Sequence, residues 1–443
     1  MTFLDEKQKT LTAKVAKKCR EGREGLESIR IGALRADITL LCSFGTETFR
    51  LGHMQTKSRV AVIGAGAFGG WTALYLLRRG VQVTLLDAWG PANSRASSGD
   101  ETRVIRGTYG PNQPYTKMAA RAMQLWKEHE TRWRRQLLHG NGVLWMAAAG
   151  DDHFERGSLP LLREAGIAYE ELSTDDIAER WPQINLEGVR WGIYEPDGGF
   201  LEARASCQAV VEEFVAEGGE YKQTAVLARD LERGIGDGVS LADGSRLVAD
   251  QYVFACGPWM GKLFPDTIGN KIRATKQDVF FFGTPSGDDR FSEEKLPVWA
   301  DHRDRFMYGI PGNLSPENRG RGFKIADDSR GPDFDPTTGE RMASAECLKT
   351  VREYMGFRFP AMKNAPLVET RVCQYEDTPD HHFIIDRHPA ADNVWLVGGG
   401  SGHGFKHGPA LGEMLAGLVM EHRDAGAPFR LKRFATLETS VTG

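Results

Sequence analysis

The chain has 443 residues, with 56 Lys and Arg against 60 Asp and Glu, a net charge of −4 and 41% hydrophobic residues. That length predicts a large core and two domains, and the near balance of charge exerts no global pull toward nucleic acid or an anionic membrane. There is no run of ~20 apolar residues, which a membrane-crossing helix needs, and six scattered cysteines without a C-x-x-C pair fit a reduced, cytoplasmic compartment better than a disulfide framework or structural zinc.

The first stretch carries Lys14, Lys17, Lys18, Arg20 and Arg23, interrupted by Glu21, Glu24 and Glu27, which disfavours a transit peptide. Met54 stands five residues before the first strand-like run. Residues 1–56 therefore read as an upstream extension or a disordered tail, with a surface-packed helix as the alternative. The far end, Ser440 to Gly443, lacks a peroxisomal Ser-Lys-Leu ending.

The stretch Arg59 to Asp87, RVAVIGAGAFGGWTALYLLRRGVQVTLLD, organises the rest. Val60 to Ile63 predict a buried strand. Gly64, Gly66 and Gly69 follow at G-x-G-x-x-G spacing, then a helical pattern with Trp71, Leu74 and Leu77. Basic Arg78 and Arg79 and then Gly80 suit the end of that helix. A second strand, Val81 to Leu86, leads into Asp87. Gly64 permits the tight turn, Gly66 lets the backbone approach a pyrophosphate, and Gly69 lets the helix pack on the strand. The helix N-terminus offers unpaired N–H groups to phosphates, and Asp87 is placed to accept from a ribose hydroxyl. A glycine-rich turn without a nucleotide is the plainer alternative. The order strand, helix, strand, acid weighs against it but leaves NAD and FAD open.

A Pro-, Ser- and Gly-rich loop, Ala88 to Gly99, runs into Asp100-Glu-Thr-Arg-Val-Ile-Arg106. Residues 115–138 predict a long amphipathic helix with Met118, Ala122, Leu125 and Trp126 on one face. Gly142 to Met146 predict a strand, and residues 158–181 a helix, a short strand and a helix. After the turn at Glu195 to Gly199 come a helix from Ala203 to Glu217 and strands near Gln223–Leu227, Gly238–Leu241 and Ser245–Val248. A buried strand from Gln251 ends at Cys256-Gly257, where an open α/β sheet lets a ligand approach. Residues 273–326 predict a mixed or antiparallel sheet, 327–340 a loop, and Ser344 to Tyr354 a helix. Near the end, Asn393 to Val397 predict a strand, Gly398 to Gly408 form a second glycine-rich loop, and Ala410 to Met420 predict a helix. A second strand–glycine loop–helix unit more than 300 residues after the first fits a split domain and favours FAD over NAD.

These motifs, GAGAFGG, GDETRVIRGTYG, EPDGGFLEARA, ACGPW, and VCQYEDTPDHHFIIDRHP followed by GGGSGHGFKHGP, resemble the monomeric sarcosine oxidase family of D-amino-acid-oxidase-like flavoproteins over roughly residues 57 to 435. The resemblance implies an α/β fold with a split, glutathione-reductase-type FAD domain (57–137, 197–272 and 369–443). It also implies a substrate domain on a mixed sheet (138–196 and 273–368). It implies bound FAD, oxidation of a C–N bond in a small amino acid to an imine, and oxygen reduced to hydrogen peroxide. On the family's pattern the flavin is attached covalently at Cys373, Arg106 and Lys406 clamp the substrate carboxylate, and Tyr308 lies in the active site. Arg103 then lies near the flavin ring and Lys324 beside it, where a cation favours superoxide as it forms. The cofactor-binding set becomes Gly64, Gly66, Phe68, Gly69, Asp87, Ser98, Thr102, Arg103, Cys256, Gly257, Trp259, Cys373, Gly399, Gly400, Gly402, His403, Gly404, Phe405 and Lys406. The plainer alternatives are a buried inert Cys373, a solvent-facing strand Lys324 and ordinary surface cations at Arg106 and Lys406.

The chain departs from the pattern in three places. Ser97-Ser98 replace a His-His pair, one extra residue stands between Gly99 and Thr102, and Asp328 replaces a histidine four residues after Lys324. These changes leave the amine open: sarcosine, other N-methyl amino acids, proline- or pipecolate-like rings, or glycated amino acids. Two rivals remain, a dehydrogenase of the same fold with another electron acceptor and a non-catalytic flavin-binding subunit. His403 and His407 have helical ligand spacing, but Gly404, Gly408 and Pro409 disfavour a helix there, so no metal site is predicted. The expected partners are a small amino acid and oxygen, without nucleic acid or membrane, in a monomer or small homo-oligomer.

Overall fold

Alternation along Arg59–Ile63 puts Val60 and Val62 in one apolar layer and Ala61 and Ile63 in the opposite one, so this strand lies at the centre of its sheet. The computed structural model describes residues 58–435 except 229–230, 232–234, 236, 304 and 313–320. The predicted N-terminal extension lies outside them. The sheet has six strands, in the order Ile384–His388, Ala391–Gly398, Gln251–Phe254, Arg59–Ile63, Gln82–Asp87 and Glu220–Gln223. All are parallel except Ile384–His388 at one edge.

Helices Ala67–Arg78, Ala203–Ala216, Gln113–Trp133 and Gly408–Glu421 cover one face of this sheet. The first and last of them pack at close range: a Cβ on Gly412 would lie 2.7 Å from the Trp71 carbonyl carbon. The other face is closed by the hairpin of Val239–Ser240 with Arg246–Leu247 and by the short helices Met260–Leu263 and Pro265–Ile268. Several predicted elements shift; the helix expected from 158 is His153–Glu164, and that expected at Ser344 to Tyr354 is Ala345–Arg358. The helix expected over 115–138 is Gln113–Trp133. It stops because Arg134 turns left-handed and Glu130 Oε1 accepts the amides of Leu137 and Leu138, both at 2.5 Å. The strand expected at Gln223–Leu227 is Glu220–Gln223, and Thr224 to Val226 instead turn into the wall of a cavity.

A second sheet has eight strands, in the order Leu367–Asp377, Arg273–Phe282, Phe323–Asp327, Phe306–Ile310, Val298–His302, Val143–Ala148, Val189–Glu195 and Glu170–Ser173. It is mixed: Val298–His302 runs parallel to Val143–Ala148 and every other pairing is antiparallel. Leu367–Asp377 pairs along its length with Arg273–Phe282. Residues 369–377, assigned from the sequence to the FAD-binding segment, therefore run in this second sheet. An alternating strand looks the same in sequence whichever sheet it joins. A small antiparallel sheet of Thr102–Ile105, Gly199–Glu202 and Leu138–His139 completes the fold.

Helices Thr174–Arg180 and Ala345–Arg358 cover one face of the eight-stranded sheet, with Leu144, Trp299, Met307, Phe323, Ile325 and Phe280 beneath them. By alternation the opposite face carries Trp145, Ala300, Tyr308, Lys324, Phe281 and Cys373. Register brings these side by side, with Trp145 opposite Ala300, Ala300 opposite Tyr308, and Lys324 opposite Phe281. That face is the wall of the site. No described helix is long and apolar enough to cross a membrane.

Candidate active site

The first glycine turn opens on a cavity of ≈ 310 Å³. Gly64 has φ +107°, and a Cβ there would lie 2.3 Å from the Ala255 carbonyl oxygen. Only glycine fits this left-handed, crowded position. Helix Ala67–Arg78 begins at Gly66 with no side-chain cap and no acid in its first turn. Its N-terminal N–H groups are left for an anion, and Gly64, Gly66 and Phe68 line the cavity. Asp87 lines it too. One carboxylate oxygen accepts the Ala65 amide at 2.8 Å and the other the amides of Trp89 and Gly90 at 2.8 and 2.9 Å. A carboxylate offers about four lone-pair sites, so the turn is braced and one acceptor site remains for a hydroxyl. Ser98, Cys256, Gly257, Trp259, Gly400, Gly402, Gly404 and Phe405 complete the predicted lining.

Glu376 lines the same cavity and is absent from the predicted set. It is buried; its Oε1 accepts the Gly400 amide at 3.3 Å, and its Oε2 has no partner among the described residues. Burial pushes its carboxyl up to about 7. An anion-ready helix end, a bare glycine turn, a ribose-side acid and an orphaned buried carboxyl suit FAD, whose phosphates and hydroxyls would satisfy them.

A second cavity of ≈ 240 Å³ adjoins the first, and Arg103, Tyr375, Gly402 and Phe405 line both. Arg106, Lys406, Tyr308 and His403 line the second. The Arg106 guanidinium lies between the rings of Tyr109 and Trp145, 4.4 and 4.6 Å from their centroids, and donates to the Thr108 carbonyl. Lys406 donates to Tyr109 OH and to the His403 carbonyl, both at 2.8 Å. Neither cation pairs with a described carboxylate. Burial first, and the Arg106 charge next, pull the Lys406 pKa well below the usual lysine value.

Behind the seam between the cavities, Lys324 Nζ meets Asp100 Oδ2 at 2.5 Å and donates to the Thr102 carbonyl at 2.9 Å. Arg103 meets the same Asp100 oxygen at 2.6 Å, and its other nitrogen lies 4.0 Å from Cys373 Sγ. Against the cost of burial, the Lys324 and Arg103 charges hold the Asp100 carboxyl well below the usual carboxylate range. Lys324 is 2% exposed, so it is no solvent-facing strand lysine. Burial pushes the Cys373 thiol up to about 11. In the same segment Glu101 is also buried and binds Arg371 at 2.5 Å, with Arg204 at 3.3 Å.

Of the predicted residues, Lys324, Cys373, Thr102, Gly69 and Gly399 line neither cavity. Thr102 gives its carbonyl to Lys324 and Arg103. A Cβ on Gly69 would lie 1.8 Å from the Gly64 carbonyl oxygen and one on Gly399 2.6 Å from Thr378, so both serve close packing. Asp100, Tyr375, Glu376 and Arg330 were not singled out from the sequence. Asp100 lies within the GDETR motif, and Tyr375 shares a strand face with Cys373 two residues away. Glu376 lies in the VCQYEDTPD stretch, next to Tyr375, whereas nothing in the sequence points to Arg330. Among the described residues no cluster of His, Cys, Asp and Glu could hold a metal.

The model of the FAD dependent oxidoreductase family matches residues 59–418. The monomeric sarcosine oxidase of Bacillus sp. (strain B-0618) is 30% identical over 377 residues, covering 83% of this chain and 93% of that protein. N-methyl-L-tryptophan oxidase of Escherichia coli (strain SMS-3-5 / SECEC) is 28% identical over 397 residues, covering 85% and 100%. The structure of L-proline dehydrogenase from P. horikoshii superposes with a TM-score of 0.73 at 22% identity, covering 86% of this chain and 98% of that one. The glycine turns, the acid that ends the second strand and the family match over most of the chain agree: the protein belongs to the FAD-dependent oxidoreductase family.

Proposed function

We propose that the protein oxidises the C–N bond of a small amino acid to an imine, which water hydrolyses, with oxygen as the final acceptor and hydrogen peroxide as product. One observation carries this reading: Arg106 and Lys406, two cations without a carboxylate partner among the described residues, line a cavity that adjoins the one at the first glycine turn. FAD, when bound, supplies the two-electron acceptor. The planar Arg106 fork and the compact Lys406 ammonium receive the substrate carboxylate. That grip turns the amine-bearing carbon toward the seam lined by Arg103, Tyr375, Gly402 and Phe405. Trp145, Phe154 and Phe306 stack as an apolar wall that keeps water from the reacting carbon. The Lys324–Asp100–Arg103 group holds two cations against one carboxylate, and this net positive charge beside the seam favours reduction of oxygen. Cys373 stands two residues before Tyr375 on one strand face and near Arg103, which supports a covalent link from its sulfur to the flavin.

A dehydrogenase with another acceptor is the second reading. Lys324 lines neither cavity, and L-proline dehydrogenase from P. horikoshii shares the fold. Anaerobic mixing of the yellow holoenzyme with sarcosine, N-methyl-L-tryptophan, L-proline and other amino acids tests both. At least one should bleach the flavin, and admitted oxygen should restore the colour with one peroxide per turnover. Bleaching without rapid recovery favours the dehydrogenase; no bleaching by any amino acid sinks both.

A further inference from the structure

Six charged side chains line the second cavity: Arg103, Arg106, Arg330 and Lys406 as cations, Asp328 and Asp380 as carboxylates. A pocket so rich in cations suits a carboxylate and repels an ammonium. Yet an α-amino acid brings both groups, one carbon apart. The two carboxylates are therefore decisive, and they differ. Asp380 is occupied by Arg433, whose nitrogens reach its oxygens at 2.7 and 3.3 Å, and by the His382 amide at 3.1 Å.

Asp328 is placed otherwise. Arg330 divides itself between Asp328 Oδ2 at 3.0 Å and Asp377 Oδ1 at 2.8 Å, and gives its remaining nitrogen to the Ser401 carbonyl at 2.9 Å. One guanidinium against two carboxylates leaves the Arg330–Asp328–Asp377 group with one negative charge in excess; burial raises the Asp328 carboxyl, and the Arg330 and Arg106 charges oppose that rise. Asp377 is buried outside the cavity and accepts from Thr275 Oγ1 at 2.9 Å, so the surplus charge meets the cavity through Asp328. Asp328 Oδ1 accepts from Tyr375 OH at 2.8 Å, and Tyr375 lines both cavities. The carboxylate thus sits by the seam, where the amine must lie if Arg106 and Lys406 hold the acid end.

We propose that Asp328 is a specificity-determining residue that receives the positively charged amine of the substrate and makes the pocket select zwitterions over simple carboxylates. The inference rests on the carboxylate-clamp reading of Arg106 and Lys406. Part of the selectivity comes from the cations themselves, which oppose any ammonium that Asp328 does not meet. The bound ammonium releases one N–H proton to water before its carbon gives up hydride, and Asp328 takes no part in the hydride transfer itself.

An isosteric pair separates charge from shape. Glycine betaine and 3,3-dimethylbutanoate share the carboxylate, the spacing and the tert-butyl-like head, and differ only in the positive charge. Both resist oxidation at the amine position, so equilibrium binding to the holoenzyme can be followed by the flavin absorbance. The wild type should bind betaine about tenfold more tightly, the ratio that ~1.4 kcal/mol of charge attraction gives. Asp328→Asn should erase that preference while keeping or improving affinity for 3,3-dimethylbutanoate, and Asp328→Glu should retain much of it. A wild type that binds both acids equally, or prefers the uncharged one, overturns the proposal even if Asp328→Asn does not fold. An unchanged preference in Asp328→Asn overturns it as well. If the wild type binds neither acid, the carboxylate clamp fails and this inference falls with it.

Discussion

Lys406→Met separates what the cation does from where it sits. Lys406 is 5% exposed, and its two hydrogen bonds go to neutral groups, Tyr109 OH and the His403 carbonyl. Methionine keeps the length and removes the charge. The loss is two hydrogen bonds worth ~1.5–3 kcal/mol each at most, while Tyr109 OH keeps His407 Nε2 at 2.7 Å. The gain is release of a buried ammonium that makes no ion pair with a described carboxylate, although Asp328 and Glu195 offset part of its burial, which costs several kcal/mol. The two terms are of similar size, so the variant should match or exceed the wild type in stability. The same change removes one charge-assisted contact to the substrate carboxylate, ~1.5–3 kcal/mol, or ~10- to 100-fold in kcat/KM at ~1.4 kcal/mol per decade.

The pH dependence has a definite sign. Burial lowers the folded-state pKa of Lys406, whereas an unfolded lysine titrates near ~10.4. Between those values the unfolded chain binds more protons, so this group destabilises the fold at low pH and the penalty fades as pH rises toward ~10.4. The stability advantage of Lys406→Met should therefore shrink with rising pH. Thermal melts of the two holoenzymes across the neutral to alkaline range measure it. Steady-state rates on the best amino acid and on the matching amine without a carboxylate measure the activity. A variant destabilised by more than ~2 kcal/mol, or equal rate losses on both compounds, would refute the reasoning.

Gly64→Ala should prevent accumulation of folded protein, because its Cβ meets the Ala255 carbonyl at 2.3 Å. Gly66→Ala, whose nearest new neighbour is Ser98 Oγ at 3.2 Å, should fold but hold FAD weakly; equal soluble yields would contradict this. Cys373→Ala should release all flavin on acid precipitation while the wild type stays yellow in the pellet, and a colourless wild-type pellet would end the covalent proposal. Lys324→Met should slow reoxidation by oxygen by ~10²–10³ in stopped flow, with little change in anaerobic reduction; Asp100 keeps Arg103 at 2.6 Å, so the fold should survive. His139 lies 3.1 Å from Glu202 and 3.0 Å from Glu293, and against the cost of burial these acids raise its pKa to about 9. Its stabilising contribution is full below the unfolded value of ~6.5 and is lost as pH rises through about 9. His139→Asn should flatten the fall in melting temperature across that window, and an unchanged slope would exclude His139 as its source.

The sequence by itself determined the nucleotide end of this protein. Gly64, Gly66, Asp87 and the second glycine loop are local features, each fixed by the conformation of a few consecutive residues and by the chemistry of a phosphate or hydroxyl beside them. The resemblance carried Arg106, Lys406 and Tyr308, which the structure brings to one cavity. Tertiary structure alone decided the rest. Which sheet Leu367–Asp377 joins depends on pairing with Arg273–Phe282, some 90 residues earlier, and no local propensity encodes a partner. That Lys324 turns into a buried ion pair with Asp100, 224 positions away, follows from register and from which face of the sheet is covered by helices. The role of Glu376 became legible only as an orphaned oxygen, and Arg330 only as a guanidinium shared between two acids. Such groups are defined by what lies across space, because a buried charge takes its meaning from the charges that face it.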